Sequence, residues 1–311
     1  MKCALCNKNK KTLESHGIPK FIVNWLKQTS PTGYLRRVID PNVRKQDFLK
    51  EKLLCFDCEQ LFSEFENYFA KKVFYPFVED NLQKFQYNER FKKFVVSLHW
   101  RMALFSLEDK EVPIITRIFL KRFLDLARLY LLGNVKNFPY EQHVSFMGEI
   151  ANISSGVEVP SRFHQYLLRS IDSTVISDKK KRLIPKTIWY FVKLPHIAFV
   201  TFIRPRTNSE WIGTKIEDSG IMDTKQQIRD GRYGDFLLNR AKLANEKFQN
   251  GLSAKQKQLL AESALKNPEK FMHSKTFEAY LADMKIGSSY DNNKNDRGGS
   301  LRHSEKPRFT P

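Results

Sequence analysis

Apolar residues recur at two periods along this chain, and the change from one to the other marks its organisation. In "LLCFDCEQLFSEFENYFA", Phe62, Phe65 and Phe69 fall at three- and four-residue steps and Phe74 follows them. This predicts a helix that opens at a pair of cysteines and presents an aromatic face to the rest of the fold. The same steps continue from Asn81 to about Gly148, with one set at Phe91, Phe94, Val95, Leu98 and Met102. A second set falls at Ile115, Ile118, Phe119, Arg122, Phe123 and Leu126. Both read as buried helix faces. "SLHWRMALF" places His99 inside the first set, where a single histidine is expected to be a hydrogen-bonded core residue.

The period then shortens. "TIWYFVKLPHIAFVTFIRP" (Thr187 to Pro205) holds two runs of β-branched and aromatic residues broken at Pro195, predicting two strands that meet at a turn or bulge. "WIGTKI" (Trp211 to Ile216) reads as a third short strand pairing with them. After Gly220 a helical pattern returns; "LSAKQKQLLAESALKN" starts on an N-cap candidate at Ser253 and stops before Pro268. From about Ile286 to Pro311 the residues are polar, without apolar period, and a disordered tail is expected. The fold class is therefore α+β: a cysteine-bearing segment over residues 1–75, then a helical middle, a small antiparallel sheet and C-terminal helices over 76–285, and a tail over 286–311.

A chain of 311 residues can bury a core that does not depend on cross-links. No run of about 18–20 apolar residues is present, and Met1 is followed by cysteines and lysines where a signal peptide needs an apolar stretch. These features predict a soluble cytoplasmic protein with no membrane partner. The formal net charge of +19 makes nucleic acid the leading partner class. The basic run "DKKKRLIPK" (Asp178 to Lys186) reads as a solvated loop.

All four cysteines lie in the first 58 residues, as C-x2-C-x48-C-x2-C: Cys3, Cys6, Cys55 and Cys58. In a reducing compartment two such pairs are metal ligands before they are disulfides, and four thiolates make a closed tetrahedral set for Zn2+. An iron–sulfur cluster or a redox pair uses the same residues. With all four positions filled by protein, a zinc ion here is structural. The intervening 48 residues are too many for a simple loop and must carry structure of their own.

"CALC…ESHGIP…LLCFDCE" resembles the treble-clef arrangement of HNH-type proteins, in which a first C-x-x-C leads to a histidine on a β-hairpin and a second opens a helix. "LESHGIPKF", "QDFLKEKLLCFDCEQLFSEFENYFA", "VSLHWR" and "WIGTKI" are similar to a broad, largely uncharacterised bacterial group with "SHIIP" and "LLCxxCExxFSxxE" signatures. The HNH resemblance covers about the first 75 residues, and the second covers most of the chain. The first implies a metal-dependent nuclease: a structural zinc beside a separate Mg2+ or Mn2+, with a histidine as general base on water. His16 matches that base. Ser15 stands where a metal-binding Asp or His is usual, and Glu59 stands where a histidine ligand is usual, so Glu59 would bind the second metal through oxygen with Glu14 or Asp47. Lys50 and Glu51 occupy the neighbourhood of an expected asparagine, and Asn42 lies further upstream. Arg36, Arg37 or Arg44 would contact phosphate.

Two functions follow. In one, the zinc segment engages nucleic acid, DNA favoured, with phosphodiester cleavage through His16 and Glu59. In the other, it is an inactive scaffold for a protein partner or ligand, with His16 bonded inside the hairpin and Glu59 at the positive end of its helix.

Overall fold

The computed structural model describes residues 1–38, 40–150, 158–178, 184–204 and 210–298, with side chains described as far as residue 286. The first 55 residues run β1 (Thr12–His16), α1 (Lys20–Gln28), β2 (Leu35–Arg37), β3 (Asp40–Lys45) and β4 (Lys50–Cys55). Next come α2 (Phe56–Phe69), a π-helical turn at Ala70–Phe74, α3 (Tyr75–Glu79), β5 (Lys84–Tyr87), α4 (Glu89–Glu108) and α5 (Ile114–Leu131). The sheet region holds β6 (Glu141–Phe146), α6 (Phe163–Arg169), β7 (Asp172–Ser177), β8 (Ile188–Leu194) and β9 (Ile197–Arg204). Then follow β10 (Trp211–Ile212), β11 (Gly220–Asp223), β12 (Gln227–Ile228), α7 (Gly231–Gly251), α8 (Ala254–Lys266), α9 (Pro268–Met272) and α10 (Lys275–Gly298).

A four-stranded antiparallel sheet, ordered β6-β9-β8-β7, forms the middle layer. Both of its faces are covered, which is why β8 and β9 read as continuous apolar runs and not as an apolar–polar alternation. Tyr190, Val192, Leu194, Ile197, Phe199 and Ile203 face a core shared with α2, α4 and α5. Phe191, Ala198, Val200 and Phe202 face a second core shared with α6, α7 and α10. Pro195 and His196 make the tight β8–β9 turn, with His196 in the left-handed region at φ 64°.

The aromatic face of α2 joins the cysteine-bearing segment to this framework. Phe62, Phe65, Phe69 and Phe74 are all buried, and Phe69 stacks on Phe94 of α4 with ring centroids 4.0 Å apart and planes 10° apart. The α4 set is buried at every expected position. His99 is a core residue: fully buried, it hydrogen-bonds Thr201 Oγ1 at 2.6 Å through Nδ1, and burial pulls its pKa down to about 3. Ser253 caps α8 as expected by accepting from the Gln256 amide, and α8 ends before Pro268.

Several expectations are corrected. The segment from Asn81 to Gly148 is not wholly helical: Lys84–Tyr87 pairs with β11, and Glu141–Phe146 is an edge strand of the main sheet. In α5 the buried face is Leu120, Phe123, Leu124, Ala127 and Leu131, whereas Ile118 and Arg122 point to solvent. Lys121, Arg122 and Asp125 mark the exposed side of this helix, so its buried face is rotated from the set read above. Trp211–Ile212 pairs with Gln227–Ile228 instead of with β8 and β9, whose two edges β6 and β7 already occupy; the second half of the stretch bonds to β6, where Val144 N donates to Thr214 O (2.9 Å) and Ile216 N to Gln142 O (2.8 Å) on either side of the His143–Lys215 bridge. Strands β11 and β12 precede the helices after Gly220. Helix α10 runs from Lys275 to Gly298, and Ala279, Ala282 and Asp283 anchor its first half beside α6. Residues 299–311 lie outside the described residues, as do 179–183 of the basic run.

Lys193 is fully buried on β8, its ammonium within hydrogen-bond reach of Ser170 O (2.8 Å) and Leu194 O (3.3 Å), and burial lowers its pKa to about 7. An unfolded lysine holds its proton to about pH 10.4, so between pH 7 and 10 the unfolded chain binds more protons and this group makes stability rise with pH. Thermal unfolding from pH 7 to 9.5 is expected to show that rise, and Lys193→Met is expected to flatten it. A slope unchanged by the substitution removes Lys193 as its source.

Candidate metal centre and the His16 cluster

Three pieces of chain converge on the cysteines. The first pair sits on a tight turn in which Cys3 N donates to Lys8 O (3.0 Å) and Asn7 N to Cys3 O (2.9 Å), with Asn7 left-handed at φ 61°. The turn is tied to β4 by the bond from Ala4 N to Leu53 O, 3.0 Å. The second pair straddles the start of α2: Cys55 is its N-cap residue in extended conformation and makes no side-chain cap bond, and Cys58 lies in the first turn. Lys10 and Asp57 form an ion pair that closes the turn against the helix.

The four Sγ atoms lie within 4.8 Å of one another, and Cys6 Sγ is 3.8 Å from Cys55 Sγ. A tetrahedron with Zn–S distances of about 2.3 Å has edges of about 3.8 Å, so the donor set fits such an ion. Three of the cysteines are buried. Burial raises the Cys3 thiol, but amide donors from Cys6, Cys55 and Leu5 outweigh it and bring its pKa down to about 7; the Cys55 N–H lies 3.3 Å from Cys3 Sγ. Burial and the neighbouring thiols push Cys58 up. Four thiols this close cannot all ionise unless a cation compensates them. The cluster can thus hold a metal ion such as Zn2+.

The 48 residues between the pairs carry α1 and the β2–β3 hairpin, inserted between two strands that pair with each other. Strand β1 runs antiparallel to β4, with Ser15 opposite Glu51 and His16 opposite Lys50. Gly17 then allows close approach to α4: a Cβ there would come 3.0 Å from Phe105 Cε2. Ile18 is buried behind it, and Pro19 precedes α1.

Alternation along β1 sends Ser15 and His16 to different partners. Ser15 is buried; its hydroxyl accepts from the Leu54 amide (3.0 Å) and donates to Glu59 on α2. Glu59 is half-buried, and burial raises its pKa, while the hydroxyl of Ser15 and the charge of Arg101 oppose that shift. His16 turns Nδ1 toward Asp47 Oδ1 at 3.4 Å, and Asp47 also pairs with Lys50 at 2.6 Å. That carboxylate is held below its ordinary range because the Lys50 bond, the Phe48 amide and the charge of His16 together exceed its burial.

One residue of the His16 cluster was missed by sequence reasoning. Arg101 of α4 is buried and donates from Nη1 to the His16 carbonyl (3.0 Å) and to Glu66 Oε1 of α2 (2.6 Å), with its guanidinium carbon 5.2 Å from the centre of the Phe62 ring. The signal was the charge itself: an arginine inside the apolar "SLHWRMALF" face requires an acid.

Other expected contacts fall elsewhere. Glu14 is exposed opposite Lys52. Arg36 bonds Pro41 O and Gln256 Oε1, and Asn42 bonds Gly251 and Ser253, so this part of the insertion leans on the C-terminal helices. Arg37 and Arg44 are exposed. Among the described residues, the four cysteines are the only group of three or more His, Cys, Asp and Glu side chains placed to share an ion, and His16, Asp47 and Glu59 do not form a second. No described helix is long and apolar enough to cross a membrane. No family model, no curated protein and no solved structure matches this chain.

Proposed function

We propose that the cysteine-bearing segment is an HNH-like treble clef, held by a structural zinc, that engages nucleic acid, DNA in preference, and hydrolyses a phosphodiester with His16 as general base. The observation that carries this reading is the pairing of His16 with Asp47 at the mouth of the β1–β4 hairpin, Nδ1 facing the carboxylate at 3.4 Å. The contact lacks hydrogen-bond geometry, so the carboxylate acts on the imidazole by its charge, which favours uptake of a proton from water by the ring. Arg101 fixes the backbone at the same residue. Exposed Lys8, Lys11, Lys52 and Arg44 lie in the same segment and suit a phosphate backbone.

On this reading Glu59 would hold Mg2+ or Mn2+ through oxygen once released from Ser15, since these ions take one or two carboxylates and complete their shells with phosphate and water. When bound, such an ion supplies positive charge to the phosphate and the leaving oxygen.

One observation favours a second reading. Glu59 is engaged by Ser15, and among the described residues no three-ligand group forms beside His16. On that view the segment is a scaffold for a protein partner. Incubating plasmid DNA and RNA with Mg2+ or Mn2+ separates the two. Native protein is expected to nick or cut, and His16→Ala to be about 10²- to 10⁴-fold slower. Absent cleavage, or equal cleavage by both, leaves the scaffold.

A further inference from the structure

Strand β7 ends the main sheet: β8 pairs with one of its edges, and no described strand pairs with the other. The alternation of an antiparallel ladder identifies the groups that face outward. Asp178 N donates to Thr187 O (3.3 Å), so Asp172, Thr174 and Ile176, in step with Asp178, bond to β8, and Ser173, Val175 and Ser177 turn their N–H and C=O groups away from it. Among the described residues, the one bond to these outward groups is long, from Thr174 Oγ1 to Val175 O at 3.4 Å. Open edges are normally blunted by lysine, proline or a bulge, and "DSTVIS" has none of these.

On the α7 side of this edge lies a cavity of about 170 Å3, lined by Ile176, Trp189, Trp211 and Phe236 among others. Ile176 and Trp189 are cross-strand partners, and both are half-buried, as is Phe236, which leaves apolar surface for a guest. The two carboxylates of the lining are already engaged, Asp178 by Thr187 N (3.2 Å) and Asp230 by Trp211 Nε1 (3.1 Å). An apolar space of about 150 Å3 holds a benzene-sized group, so this one suits a single large apolar side chain. A strand laid along β7 has one residue opposite Ile176, and residues directly opposite share a face of the sheet.

We propose that β7 docks an extended segment of a partner polypeptide, which adds a strand through Ser173, Val175 and Ser177 and sets one large apolar side chain, opposite Ile176, in the cavity. A second copy of this chain fits less well. The two-fold register centred on Val175, which alone pairs all three outward residues, puts the small Thr174 opposite Ile176 and brings together two chains of +19 each. The surface is separate from His16, and the proposal does not depend on the nucleic-acid reading.

The probe is a displayed library of short random peptides selected on the full-length protein, followed by synthesis of an enriched peptide. Enriched sequences are expected to share one large apolar residue, and its replacement by serine to weaken binding about 10-fold or more. N-methylation of the peptide amides that face β7 is expected to cost a similar factor, and methylation of the intervening amides much less. Ser177→Pro removes an outward N–H without breaking the ladder to β8, so it is expected to keep the thermal unfolding midpoint and lose the peptide. Val175→Pro is the second variant should the first not fold. Failure to enrich any peptide overturns the proposal, as does binding indifferent to the proline or to loss of the apolar residue. A dimer of the protein alone that the proline dissociates also overturns it, because the edge then belongs to a second copy.

Discussion

Replacing Cys55 and Cys58 together by serine is expected to lower bound zinc from about one ion per chain to almost none. The structural cost is large, since a four-thiolate zinc site contributes about 10–16 kcal/mol of apparent binding free energy near neutral pH, as much as the net stability of a typical domain. The loss is expected to be local. The Cys3–Cys6 turn has little apolar anchorage beyond Cys3 and Leu5, whereas α2 is seated by Phe62 and Phe69 against Trp100 and Phe94. Hydrogen exchange is therefore expected to lose protection at the amides of Ala4 and Asn7, which the turn and β4 now satisfy, while α2 and α4 keep theirs. Unchanged protection at those two amides in metal-free protein would show that the turn stands without the ion.

Arg101→Met carries the second large expectation. Its guanidinium joins Glu66 of α2 to the His16 carbonyl, linking α4, α2 and the hairpin mouth at one point. Removing one member of a buried pair leaves the other charged without a partner, and a loss of about 3–5 kcal/mol is expected in urea unfolding. Arg101→Met with Glu66→Met is expected to recover part of it, because the stranded carboxylate is then gone. A loss under about 1 kcal/mol for the single change would mean that the cluster is more solvated than its burial indicates.

What the sequence revealed followed from local periodicity. The aromatic face of α2, the α4 face, the Pro195 turn and the Ser253 cap each depend on residues within a few positions of one another, and all are found where the pattern puts them. The cysteine spacing likewise predicted a cluster that the fold brings together. Pairings between distant segments were not legible. Strand β6 joins β9 across more than fifty residues, and its sequence "EQHVSF" lacks the apolar run of its neighbours although it is buried, because distant side chains satisfy its polar ones: Gln142 Nε2 donates to Thr201 Oγ1 (3.2 Å) and His143 Nδ1 bonds Thr214 Oγ1 (2.8 Å). The His16 cluster is similar: Ser15 and Glu59 are 44 residues apart, and His16 and Arg101 are 85 apart. Sequence alone could name His16 and Glu59 as candidates, but only the hairpin register shows that adjacent residues of β1 serve different carboxylates.

The claim on which the account turns is that this strongly basic chain engages nucleic acid through its zinc-held segment. It is tested most directly by measuring affinity for duplex DNA from about 50 to 200 mM salt, with native protein and with the Cys55→Ser/Cys58→Ser protein. The account predicts a linear fall of log K with log salt, of slope about −3 or steeper, corresponding to three or more phosphates contacted, and a marked loss of affinity when the cysteines are replaced. A flat salt response, or equal binding by the two proteins, would contradict it.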